Sequence, residues 1–166
     1  MSSQHPVRGA RRKITSWRTL ARIVRQAHIR RRRVVFTNGC FDLLHPGHVA
    51  LLERAKRLGD VLIVGLNSDR SVRALKGAGR PIIRQRDRAL LLAALQSVDY
   101  VTIFNQPTPL ALLKRLRPDV LVKGADWGAG CIIGRELVRA RGGRVVRIPL
   151  VAGYSTSRLI TRLRRR

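Results

Sequence analysis

Thr37-Asn38-Gly39-Cys40-Phe41-Asp42-Leu43-Leu44-His45-Pro46-Gly47-His48 is the stretch whose reading decides the fold. Ahead of it, residues 34–37 (Val-Val-Phe-Thr) form a short apolar, β-branched run. Behind it, Leu51, Leu52, Ala55 and Leu58 recur at helical spacing. A strand therefore enters a glycine-containing turn, and a helix leaves it. Gly39 lets the backbone come close to a ligand, and Gly47 lets a helix begin beside one. A helix N-terminus carries free N–H groups and about half a positive charge, so it suits phosphate. His45 and His48, three residues apart around the turn, can offer two imidazole donors to one anionic centre, such as charge developing on phosphorus. Cys40, His45 and His48 could instead ligate a metal. Their spacing matches no common zinc pattern and a fourth ligand is not evident, so no metal-ligating residue is assigned. One loop histidine would read as an ordinary surface residue; two bracketing a glycine at a strand-to-helix turn do not.

The same alternation continues outward. Gly59-Asp60 stops the first helix, and Val61 to Leu66 is a second buried strand. Residues 69–75 suit a short helix, followed by a Gly/Pro loop from Lys76 to Pro81. A helix is expected at 86–96, a strand at 100–104, a helix at 109–116 and a strand at 120–122. Then come a helix around 134–141, ended by Gly142-Gly143, a fifth strand at 144–148, and a closing helix at 156–163 with Ser155 as N-cap. Continuous apolar strands alternating with helices indicate an open α/β fold, a parallel five-stranded sheet with helices on both faces and right-handed crossovers. Such sheets bind ligands beyond the carboxyl ends of their strands. Residues 1–13 read as a disordered basic tail, 14–163 as one domain with an accessory helix at 14–30, and 164–166 as a second basic tail.

The 166 residues carry 35 Lys+Arg against 9 Asp+Glu, a formal charge of +26. Residues 1–33 hold eleven of the bases and residues 137–166 hold nine, with no acid in either stretch. The middle of the chain keeps fifteen bases and all nine acids, a net +6, so most of the excess is terminal. Only five of the bases are lysines: Lys13, Lys56, Lys76, Lys114 and Lys123. Charge of this kind speeds encounter with any phosphorylated ligand without naming one. Aromatic residues make up 4%, too few for stacking platforms, and no helix-turn-helix or zinc-finger spacing occurs. A nucleic-acid-binding module is therefore the weaker class, although weak contact of the Arg-rich ends with RNA or acidic lipid stays open. Two cysteines, no signal-like segment and no apolar run of transmembrane length point to a reduced, cytoplasmic protein.

The motif His45-Pro46-Gly47-His48, after the lead-in Gly39-Cys40-Phe41-Asp42, resembles that of the HxGH nucleotidyltransferases. Within them the chain is most similar to the D-glycero-β-D-manno-heptose 1-phosphate adenylyltransferases. Supporting runs are Leu66-Asn67-Ser68-Asp69, Leu75-Lys76-Gly77, Asp87-Arg88, residues 117–126 and Gly153-Tyr154-Ser155-Thr156-Ser157. The resemblance covers about residues 34–163. It implies a Rossmann-like fold and transfer of AMP from ATP, with Mg²⁺, to a sugar 1-phosphate, giving ADP-heptose and pyrophosphate. It places His45, His48, Lys76 and Arg88 in catalysis. It places Asn38, Gly39, Cys40, Phe41, Asp42, Gly47, Lys123, Gly124, Asp126, Ser155, Thr156 and Ser157 around the nucleotide. Asp42 would orient the loop or assist Mg²⁺. A homodimer is expected from the same resemblance. The nearest rival is a cytidylyltransferase acting on glycerol 3-phosphate or a related alcohol phosphate. Ala125-Asp126-Trp127 leans that way, while Leu150-Val151-Ala152-Gly153 lacks the phosphate-binding arginine of that branch.

Overall fold

In the computed structural model, residues 8–126, 128 and 131–164 are described. Five strands form one parallel sheet: β1 (Val34–Gly39), β2 (Val61–Asn67), β3 (Tyr100–Phe104), β4 (Val120–Gly124) and β5 (Arg144–Ile148), in the order β3-β2-β1-β4-β5. Eight helices accompany them among the described residues: α1 (Arg8–Arg11), α2 (Trp17–Ile29), α3 (Pro46–Lys56), α4 (Asp69–Lys76), α5 (Gln85–Ala94), α6 (Leu110–Leu116), α7 (Arg135–Arg139) and α8 (Thr156–Arg164). The apolar runs become strands because both sheet faces are covered; all seven residues of β2 are buried.

Two apolar cores flank the sheet. Leu52, Ala55, Ala89, Leu92 and Ala93 of α3 and α5 close one face. Leu20, Val24 and Ala27 of α2, with Leu112, Leu113, Leu116 and Val138 of α6 and α7, close the other. Helix starts obey local chemistry: Ser16 Oγ accepts from the Thr19 amide, and Ser68 Oγ from the Ser71 amide, both at 3.2 Å. No helix among the described residues is long and apolar enough to cross a membrane.

The amino-terminal stretch departs from expectation. Residues 8–13, read as disordered tail, form α1 and a turn, and the chain continues in an isolated parallel bridge from Ile14 to Val101. The outer edge of β3 has unpaired backbone groups, and this segment satisfies them: the Thr15 amide donates to the Val101 carbonyl, and the Val101 amide to the Lys13 carbonyl, both at 2.9 Å. Lys13 Nζ also donates to the carbonyls of Leu95 (3.0 Å) and Val98 (2.8 Å) just beyond α5. Residues 1–7, and the expected tail at 165–166, lie outside the described residues.

β1 is central: from it the order runs to β2 and β3 on one side, and to β4 and β5 on the other. The connections diverge there, so a crevice opens at the carboxyl ends of β1 and β4. The loop quoted above leaves β1 at that point.

Candidate active site

The turn after β1 is shaped by an anchored carboxylate. Asp42 is 1% exposed; its Oδ2 accepts from Arg80 Nε (2.6 Å) and the Ile82 amide (2.9 Å), and its Oδ1 from the Ile83 amide (3.0 Å). Burial alone would raise its pKa, but the Ile83 and Ile82 amides and Arg80 outweigh that and hold it below the usual carboxylate range. On either side, Phe41 (φ 45°) and Leu43 (φ 54°) occupy the left-handed region, which bulky residues adopt only where neighbours enforce it. The Asp42 anchor supplies that enforcement. The orienting role expected of Asp42 is what its contacts fit. The Mg²⁺ role does not fit, because the carboxylate is fully buried and its charge is already met by Arg80 and two amides. No group of three or more His, Cys, Asp or Glu among the described residues could hold a metal ion.

His45 is the N-cap residue of α3, and Pro46 takes the first helical position, where its missing N–H costs nothing. The turn stacks the two imidazoles with centroids 3.8 Å apart and planes 20° from parallel. The Phe41 ring lies 5.1 Å from that of His48, and Tyr154 stacks 6.4 Å from His45. Desolvation depresses the pKa of both histidines, that of His48 to about 4 with a further push from His45. Both rings are therefore neutral at pH 7, which is why they tolerate such close stacking. Each Nδ1 is buried without a hydrogen-bond partner, as is Asn38 Oδ1 at the end of β1. Three unsatisfied polar atoms at one crevice mark a place built for something polar.

Positive charge reaches the crevice from two lysines. Lys123, at the end of β4, is 8% exposed and donates to the Asn38 carbonyl at 3.2 Å. Burial lowers its pKa to about 8, against the pull of Asp126 and Cys40. Lys76 is exposed at the end of α4, and its charge acts on the Cys40 thiol, whose pKa burial raises. Two glycines leave room here: a Cβ on Gly39 would meet the Phe41 ring at 3.1 Å, and one on Gly124 would displace the Asp126 carboxylate. A groove of about 520 Å³ along α3, lined by Leu44, His45, Pro46, Val49, Ala50 and Glu53, adjoins the histidines.

Arg88 is not on this open face. Its guanidinium is fully buried, donating to the carbonyls of Cys40 and Ile83 (2.9 Å) and to Asp69 Oδ1 (2.8 Å). With its side chain fully covered, Arg88 ties the turn after β1 to α4 and to Ile83 just before α5. The closing motif also turns inward in part: Thr156 Oγ1 donates to the Asp42 carbonyl (2.8 Å), and Ser155 Oγ caps α8 by accepting from the Arg158 amide. The Ser157 carbonyl accepts from Thr161 Oγ1. Arg80 and Asp69 escaped the sequence reading as site supports, because nothing local distinguishes Arg80 among thirty arginines. Trp127 lies outside the described residues.

The Cytidylyltransferase-like family profile matches residues 36–162, the span that holds every one of these groups. The chain belongs to the cytidylyltransferase-like family. Among curated relatives, this family member is 51% identical over 159 residues to the bifunctional protein HldE of Citrifermentans bemidjiense, covering 96% of this chain and 33% of that protein. It is 55% identical over 138 residues to the HldE protein of Syntrophotalea carbinolica, covering 81% and 28%. This cytidylyltransferase-like chain thus spans about a third of the length of the relatives it matches. Among solved structures, a lipopolysaccharide core biosynthesis protein from Thermoplasma volcanium superposes with a TM-score of 0.60 at 26% identity, over 72% of this chain and 97% of that one. A pantoate-beta-alanine ligase from Francisella tularensis (TM-score 0.58, 19% identity, 82% and 66% covered) shares the fold.

Proposed function

We propose that the chain is a nucleotidyltransferase that moves AMP from ATP to D-glycero-β-D-manno-heptose 1-phosphate. The observation that carries the reading is the stacked, neutral His45–His48 pair at the mouth of the β1–β4 crevice, with Lys123 bonded to the Asn38 carbonyl at the end of β1. Half-identity to proteins named HldE supports this acceptor over an alcohol phosphate.

An oxygen of the sugar 1-phosphate attacks the α-phosphorus of ATP. The bond from that phosphorus to the bridging oxygen of the β-phosphate breaks, and pyrophosphate leaves with the electron pair. The acceptor oxygen is already anionic, so no side chain need act as a covalent nucleophile or remove a proton. The protein contributes alignment and charge stabilisation. Neutral imidazole N–H groups donate to phosphate oxygens where charge builds, and the amides opening α3 add partial positive charge. The lysines neutralise the triphosphate. Mg²⁺ would enter as a companion of ATP and would offset the charge of its phosphates. A cytoplasmic homodimer completes it.

Pyrophosphate release tests the reading directly. ATP with the heptose 1-phosphate is expected to turn over far faster than CTP with glycerol 3-phosphate. The opposite preference, or no release from either pair, would refute it.

A further inference from the structure

The face of the molecule formed by α2, α6 and α7 carries charge that the proposed reaction does not use. On α2, Leu20, Val24 and Ala27 face the core, while Arg18, Arg22 and Arg25 recur at the same spacing on the exposed side. None of the three arginines has an ion-pair or hydrogen-bond partner among the described residues. One turn beyond Arg25 in the same row stands Ile29, 65% exposed, and exposed Arg30, Arg31, Arg32 and Arg33 follow it. The row from Arg18 to Ile29 runs roughly 16 Å at the rise of an α-helix. Beside it, α6 and the residue after it expose Lys114, Arg115 and Arg117, and α7 and its end expose Arg139 and Arg141. The acids of this face, Asp119 and Glu136, are each paired, with His28 and Arg135 at 3.3 Å, and at its edge exposed Asp60 accepts from the Arg33 amide at 2.7 Å. The carboxyl ends of β1 and β4 open elsewhere, so a partner here leaves the crevice free.

We propose that this face docks on an anionic lipid surface. Three features favour lipid over nucleic acid. The cations form a broad array across a helical layer rather than a groove that could follow a phosphate backbone. Trp17 is turned inward, its Nε1–H donating to the Ile103 carbonyl at 3.0 Å, so the aromatic residue of α2 offers no platform for a base. An exposed isoleucine ringed by arginines is suited to the headgroup boundary, where an apolar tip enters and the guanidinium groups stay among phosphates. The proposal is independent of the transfer reaction.

Co-sedimentation of the full chain with vesicles tests it. Wild-type protein is expected to bind vesicles of phosphatidylglycerol and phosphatidylcholine, to ignore pure phosphatidylcholine, and to release as NaCl rises from about 0.05 to 0.3 M, where screening shortens the reach of the field. The combined variant Arg18→Gln, Arg22→Gln, Arg25→Gln should lose on the order of 100-fold in partitioning, since each cation near such a surface contributes roughly fivefold. A charge-matched variant on other surfaces, Arg57→Gln, Arg86→Gln, Arg162→Gln, should keep most of it. Thermal melting checks that both variants fold, and pyrophosphate release should be equal in both. The proposal is overturned if wild-type protein does not distinguish the two vesicle types or if both variants weaken alike. It also fails if the α2 variant loses binding to RNA or duplex DNA while vesicle binding was never present.

Discussion

His45 and His48 stack with ring centroids 3.8 Å apart, and each leaves a buried Nδ1 without a partner. Two imidazolium ions could not share that spacing cheaply, so the pair works uncharged. An uncharged pair donates hydrogen bonds to phosphate without drawing the ligand into a fixed ion pair, which favours groups whose charge changes during reaction. The unsatisfied nitrogens also mean that the pair contributes little to holding the fold together.

Replacing either histidine by alanine is expected to lower kcat about 10²–10³-fold, the usual cost of one donor to a developing oxyanion. Melting temperature should change little. A loss of fold in circular dichroism, rather than of turnover, would assign the pair a structural role.

His48 also makes stability depend on pH. Its folded pKa of about 4 lies below the unfolded value of 6.5, so between these values the unfolded chain binds more protons. Stability therefore declines as pH falls from about 6.5 towards 4, by an amount on the order of 2–3 kcal/mol from this group. Denaturant midpoints measured across that window should fall less steeply for His48→Gln.

Lys123 behaves in the same sense at higher pH. Its folded pKa is lowered to about 8 from 10.5, so the folded chain holds the ammonium at a cost that vanishes as pH rises from 8 towards 10.5. Lys123→Met is expected to weaken ATP binding at least tenfold in calorimetry without lowering the melting temperature at pH 7. In the wild type, KM for ATP should climb above pH 8. Lys123→Arg should flatten that rise.

Asp42→Asn removes one side of the pair with Arg80, whose side chain is only 15% exposed, and disturbs two backbone bonds. A loss of about 3 kcal/mol is expected from a buried charge left unpaired. Turnover should fall because the turn after β1, which carries His45 into α3, loses its tie to Arg80, Ile82 and Ile83. The Mg²⁺ concentration giving half-maximal rate should stay the same; a marked increase would restore the cation-ligand role for Asp42.

Gly47→Ala places a methyl group 3.1 Å from the His45 ring and 3.3 Å from Tyr154 Cβ. Alanine favours the helix, so the fold should hold or gain slightly. The displaced imidazole should lower kcat by an order of magnitude or more, because alignment errors near 1 Å are costly. Single-turnover kinetics at saturating ATP would separate this from weaker binding.

The strands were legible because a parallel sheet covered on both faces demands uninterrupted apolar runs, and Val61 to Leu66 is such a run. The His-Pro-Gly-His turn was legible because its residues act within four positions of one another. Arg88 was not. Its partners Cys40 and Asp69 lie 48 and 19 residues away, and no local pattern tells a buried arginine from a solvated one. Residues 8–13 were misread for a related reason: their composition is that of a tail, while the edge of β3 that captures them is far off in the chain.

From the sequence alone followed the alternation of strands and helices, the placing of a phosphate-friendly turn after the first strand, and the terminal concentration of charge. These depend on periodicity and on neighbours a few residues apart. Only the tertiary structure decided which polar groups are used up in holding the loops and which stay available. Asp42 and Arg88 are held by the first task, while the Nδ1 atoms of the two imidazoles are buried without a partner. Burial sets the protonation and the partners of an ionisable group, and burial is a property of segments brought together from across the chain.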